Sequence, residues 1–369
     1  DVMSAAALFQ HRPGHHRSQL FASFPISDLP GASPGAAEVV VVDVPDRNGD
    51  GVRDWAFGSP GPECGGTGCV TGVVVLASGT SGSELGRISL GSPGSRIGSS
   101  VVRDGSRLYI GAPSAVRSDG VRTGAVVVVD LADLTRAVDV WYGEQPDAEY
   151  GAAIVRMPRE RATDSLRLLV GAPGYDGPPG TDAGALFGVD TRGTSFVRFD
   201  GPLAGAGIGR TAAAILPEKL VPGALVVGAP AVNSGGGMVA FYAFDGTLLR
   251  TKAGSPGDGL GSMVSAAADF DGDGHEEVAV SAPGAGGGAG AVLILRVDGD
   301  QIDRLEGSGT DRFGATVATP GDVDGDGRFD LLGGMPGRRA AGEDRAGVWA
   351  MLSGMGGTPN NGNVLVAGP

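Results

Sequence analysis

Three short segments of this 369-residue chain place acidic or amide side chains at every second position and then turn on a glycine. In the first they are Asp46, Asn48, Asp50 and Asp54, with Gly51 after the third. In the second they are Asp269, Asp271, Asp273 and Glu277, with Gly274, and in the third Asp322, Asp324, Asp326 and Asp330, with Gly327. Hard oxygen donors at positions 1, 3 and 5, a sharp turn at 6, a backbone carbonyl at 7 and an acid at 9 suit Ca2+. The carbonyls come from Val52, His275 and Arg328. Carboxylates crowded on so short a loop repel one another unless a cation sits among them. The start resembles an EF-hand, but position 12 is Phe57, Val280 or Gly333, none able to supply the bidentate glutamate. Asp and Gly are also common in ordinary turns. Three recurrences at one place in a repeat, with eleven acidic side chains among them, favour metal. About three calcium sites are expected. Each fills its cation with protein ligands and leaves no acid–base partner, so the role is structural and no catalytic residue is nominated.

The elements that must position these loops are marked by a second pattern. Six apolar runs end in a small or apolar residue and proline: Gly58-Ser59-Pro60, Gly111-Ala112-Pro113, Gly171-Ala172-Pro173, Gly228-Ala229-Pro230, Ser281-Ala282-Pro283 and Gly334-Met335-Pro336. Their starts lie 53, 60, 57, 53 and 53 residues apart, the mark of one supersecondary unit used repeatedly. Some twenty residues earlier stands an apolar residue followed by glycine, as in Ile97-Gly98, Tyr150-Gly151, Ile208-Gly209, Leu260-Gly261 and Phe313-Gly314. After each proline a small residue and a glycine open another apolar run, as in Thr123-Gly124-Ala125 and Ala289-Gly290-Ala291. Each unit thus reads as four short strands, the fourth typified by Val138 to Trp141 and Ile302 to Leu305. A lone four-stranded meander has two open faces and two free edges, and packing such sheets face to face in a ring buries the faces. The expected fold is an all-β propeller with six clearly marked four-stranded blades. A seventh blade, or closure by residues 19 to 27 or by Asn363 to Ala367, is the open alternative.

Composition agrees. Glycine numbers 68, yet it punctuates β-branched runs such as Val126 to Val129 rather than forming low-complexity tracts. No stretch has helical periodicity and no apolar run reaches membrane-spanning length, so membrane insertion is not expected. A net charge of −14 repels nucleic acid and anionic membranes. Cys64 and Cys69 flank a glycine-rich loop with no histidine near in sequence, which favours a small disulfide over zinc and hence an oxidising compartment. The chain begins at Asp1 without a basic-then-apolar leader, as a mature secreted form would. Trp55, Trp141 and Trp349 are expected to pack blades rather than offer a sugar platform.

Phe313-Gly314 followed by Gly334-Met335-Pro336, and Leu260-Gly261 followed by Ser281-Ala282-Pro283, resemble in order and spacing the FG-GAP repeats of integrin α-subunit propellers and related bacterial proteins. The resemblance covers roughly residues 31 to 369, leaving 1 to 30 as an N-terminal segment long enough for a ring-closing strand. It departs in the first unit, where no Phe-Gly pair precedes the strand Glu38 to Asp43. It implies calcium on the nine-residue inter-strand loops and a non-enzymatic binding, adhesion or assembly module. The expected partner is a protein or glycan, or further copies in a larger structure, outside the cell, on its surface or in the periplasm. The alternative is a carbohydrate-active hydrolase or lyase working in the propeller funnel, for which the sequence nominates no acids and only 5% aromatic residues.

Overall fold

In the computed structural model, residues 5–10, 19–25, 40–61, 72–157, 166–215, 223–265, 268–322, 327–338 and 348–352 are described. Six antiparallel sheets follow one another along the chain, a repeated arrangement consistent with a β-propeller. They are preceded by a separate two-stranded sheet, β1 (Ala5–Gln10) with β2 (Gln19–Pro25). A strand forms over 19–25, within the 19 to 27 expected, and pairs with β1.

The chain divides into two compact units, one holding Phe24–Arg210 with Asp1–Val2, the other Thr211–Pro369 with Met3–Ser23. In the first unit, sheet one is β3 (Val40–Val44), β4 (Asp54–Ser59), β5 (Val73–Ala77) and β6 (Glu84–Ile88). Sheet two is β7 (Val101–Asp104), β8 (Arg107–Ala112), β9 (Ala125–Asp130) and β10 (Asp139–Tyr142). Sheet three is β11 (Ile154–Arg156), β12 (Arg167–Ala172), β13 (Ala185–Asp190) and β14 (Ser195–Asp200). The second unit holds sheet four, with β15 (Ala212–Ile215), β16 (Ala224–Ala229), β17 (Met238–Tyr242) and β18 (Leu248–Ala253). Sheet five has β19 (Val278–Ala282), β20 (Ala291–Leu295) and β21 (Gln301–Glu306), and sheet six β22 (Val317–Gly321), β23 (Asp330–Met335) and β24 (Val348–Leu352). Among the described residues of the first strand expected in sheet five, Val264 bridges Val280 and Ala268 bridges Glu277.

The valine runs are continuous because the central strands are covered on both faces. Val127 and Val129 of β9 pack with Leu76 and Ile88 of sheet one, while Val126 and Val128 pack with Val170 and Phe187 of sheet three. In the second unit Val280 and Leu293 face Val226 and Phe241, whereas Ala279 and Ile294 face Phe313 and Leu331. Fourth strands are largely exposed.

The two glycine motifs join one sheet to the next. Gly290, which opens the third strand of sheet five, forms a parallel bridge with Phe313 at the entry to sheet six, and Phe313 N donates to Ala289 O at 2.9 Å. Gly314 then continues with φ +83°, its Cα so close to Ala291 O that a Cβ would stand 3.0 Å from it. Only glycine meets both demands. Gly124 with Tyr150, Gly184 with Ile208 and Gly237 with Leu260 repeat the bridge.

Candidate metal centre

The acidic loops are hairpin connections between first and second strands. The first spans β3 to β4 and the third β22 to β23, while the second leads from the Ala268 bridge into β19. Where the acidic pattern is missing, in sheet two, β7 and β8 are joined by only Gly105 and Ser106.

One hydrogen-bond skeleton shapes the first two loops. In the second, Asp269 accepts from Gly272 N at 2.6 Å and Gly274 N at 3.0 Å, Asp271 from Asp273 N at 3.1 Å, and Asp273 from His275 N at 2.9 Å. In the first, Asp46 accepts from Gly49 N and Gly51 N, Asn48 from Asp50 N, and Asp50 from Val52 N, at 2.6 to 3.1 Å. The third keeps at least the bond from Gly327 N to Asp322, at 3.0 Å. These are Asx turns in succession, with the left-handed φ of Gly51, Gly274 and Gly327 (+81°, +88° and +90°) turning the chain inward.

The ninth-position acids behave differently from the rest. Asp54, Glu277 and Asp330 are at most 1% exposed, and with Asp311 they are the buried carboxylates among the described residues. Asp54 is satisfied by backbone: Arg47 N donates to Oδ2 at 2.6 Å and Gly79 N to Oδ1 at 3.0 Å. Glu277 is not. Its Oε2 accepts from Phe270 N at 3.1 Å, but its buried Oε1 has no hydrogen-bond donor. A buried charged oxygen left so is costly unless a cation meets it. Burial first, then the backbone contact working against it and the nearby Asp271, Asp273 and Asp269 charges, push the Glu277 carboxyl up to about 7.

Asp269, Asp271 and Asp273 bring one carboxylate oxygen each within 4.8 Å of one another, the only such gathering of acids, histidines or cysteines among the described residues. With the orphaned Glu277 oxygen behind them, they fit a hard divalent cation. Sequence reasoning missed Arg296. Directly after β20, its Nη2 donates to Asp271 Oδ2 at 2.8 Å and Asp273 Oδ2 at 3.0 Å, and its Nε lies 3.9 Å from Glu277 Oε1. The Asp271 hydrogen bond holds the guanidinium more firmly protonated than usual. The only signal in the sequence is its place, the residue after a third strand. In the first loop that place is Ser78, whose Oγ accepts from Asn48 Nδ2 at 3.1 Å. The Val52 N–H, with the Thr80 and Asn48 side chains, lowers the Asp50 carboxyl.

Asp324 and Asp326 lie outside the described residues, as do Cys64 and Cys69, while Asp322, Arg328 and Asp330 occupy the loop ends. Phe329 N donates to Asp269 O at 3.0 Å, tying the third loop to the second. Trp141 is a packing residue: its ring lies 5.5 Å from that of Tyr109 and its face is covered by Gly193. Beside it, Tyr142, Glu144, Tyr150, Phe187 and Ser195 line a partly open pocket of about 260 Å3.

Sheets in repeated succession, with acidic loops at one place in the repeat, are consistent with a β-propeller. The FG-GAP repeat family matches residues 262–295, which hold the Gly274 turn, Glu277, β19 and β20. Among solved structures, a chain in "Crystal Structure of Mitotic Checkpoint Complex" is similar at 15% identity over 76% of this chain and 67% of that one, with a TM-score of 0.47. No curated protein matches the chain.

Proposed function

We propose that the chain is a calcium-stabilised propeller acting as a binding, adhesion or assembly module, with residues 31–369 as one repeat domain. Calcium would be held in the second loop by Asp269, Asp271, Asp273, the His275 carbonyl and Glu277. The corresponding residues of the other loops are Asp46, Asn48, Asp50, Val52 and Asp54, and Asp322, Asp324, Asp326, Arg328 and Asp330. When bound, the cation neutralises the crowded carboxylates and ties the loop to the strand behind it. The observation that carries this reading is the convergence of three aspartates in front of a buried, unbonded Glu277 oxygen.

An FG-GAP repeat at 262–295 supports a protein-binding or adhesion role, and with it an extracellular or cell-surface location. No helix of the described residues is long and apolar enough to cross a membrane. A Cys64–Cys69 disulfide belongs to the same reading. The partner is a protein or glycan, met by the loops between repeats, where sequence is freest to vary.

The test is a calcium titration of the chelator-stripped chain by calorimetry, followed by protein and glycan arrays with and without calcium. Absence of calcium heat sinks the metal reading. Equal ligand capture in chelator and calcium separates the binding surface from the loops.

A further inference from the structure

The second acidic loop differs from the first by a matched pair of residues. Where the first has the neutral Asn48 bonded to Ser78, the second has Asp271 bonded to Arg296. Counting ligands, the first loop carries three carboxylates, Asp46, Asp50 and Asp54, and the second four, Asp269, Asp271, Asp273 and Glu277. Counting ligand carboxylates alone, Arg296 offsets the extra one and leaves each loop with a balance of three. The guanidinium is not an incidental neighbour. Nη2 is shared between two of the three converging aspartates, and Nε is the nearest cationic atom to the unbonded Glu277 oxygen. The arginine side chain remains 43% exposed.

Resting on the calcium reading above, we propose that Arg296 is a resident counter-cation of the second loop. It shares that loop's carboxylates with calcium, so the loop binds calcium more weakly than its four acids would and keeps its shape when calcium is withdrawn. Two cations drawn to the same carboxylates repel each other, and linkage makes the effect reciprocal. Removing the arginine tightens calcium by the factor that calcium weakens the arginine. Arg328, whose side chain lies against Gly272, is a second cation nearby, but it is unchanged between the proteins compared.

The test compares the full chain with its Arg296→Ser, Arg296→Gln and Arg296→Lys variants. All four proteins also carry Asp46→Ala and Asp322→Ala, so that calcium heat reports the second loop, and far-ultraviolet circular dichroism confirms folding. R296S and R296Q are expected to bind calcium about tenfold more tightly, within the usual span of coupled sites. In chelator both should melt several degrees lower, while R296K stays close to the parent. Unchanged or weaker calcium binding in both neutral variants, with heat still present in the parent, overturns the counter-cation alone. No calcium heat in any of the four overturns the calcium reading with it.

Discussion

Glu277 is the residue on which the metal argument turns. Its carboxyl, lifted to about 7 in the metal-free fold against an ordinary value of 4.5, is protonated in the native chain at a pH where the unfolded chain is ionised. Its contribution to stability is therefore full below about 4.5 and fades as pH rises through about 7. In chelator, melting temperature should fall across that window more steeply in the parent than in Glu277→Gln, which has no proton to lose. Calcium binding should show the opposite trend, strengthening as the carboxylate ionises. Calorimetric titrations at pH 5 and pH 8 would check it, and equal affinity at both would remove Glu277 from the ligand set. At Phe313 the issue is packing. The ring is fully buried between sheets five and six, so Phe313→Ala should cost about 3–5 kcal/mol in chemical denaturation.

At the scale of the element, the acidic loop and the two-residue turn of sheet two are alternative ways to join the same strands. Asp269 anchors its loop through two backbone N–H groups, whereas Asp104 pairs with Arg156 at the surface. Asp269→Ala should cost about 1–3 kcal/mol, two lost hydrogen bonds at about 0.5–1.5 kcal/mol each, before any loss of metal is counted. Asp104→Ala should stay within about 1 kcal/mol, as exposed ion pairs do. Urea unfolding of the two variants in chelator decides it, and equal losses would make the acidic loop an ordinary turn. The junctions between sheets obey a different rule. There a parallel bridge and a left-handed glycine are both required, so glycine after an apolar residue recurs even where the acidic loop does not.

For the whole molecule, calcium is a ligand of the native state alone. At a free concentration a hundred times the dissociation constant, each occupied loop should add about 2.7 kcal/mol. Differential scanning calorimetry should show a calcium-dependent rise in melting temperature. Magnesium at equal concentration should reproduce little of it, because its small octahedral shell suits these loops poorly. An unchanged melt in excess chelator would remove calcium from the fold. The net charge of −14 should make the effect larger at low ionic strength, where crowded carboxylates are least screened.

The sequence by itself determined the period, the four-strand unit and the loops with metal-ligand spacing. Each follows from local rules: glycine where φ is left-handed, β-branched runs where both faces are covered, and carboxylates at alternate positions on a turn. Strand two ends at the small-residue and proline motif in β8, β12 and β16, as the spacing predicts. Tertiary structure alone decided which acids are buried, since Glu277 and Asp273 look alike along the chain but differ in what packs over them. It also decided that Arg296, nineteen residues beyond Glu277, returns across a hairpin to face the aspartates. Such pairings depend on strand register, and register is fixed by packing across sheets rather than by any residue's own preference.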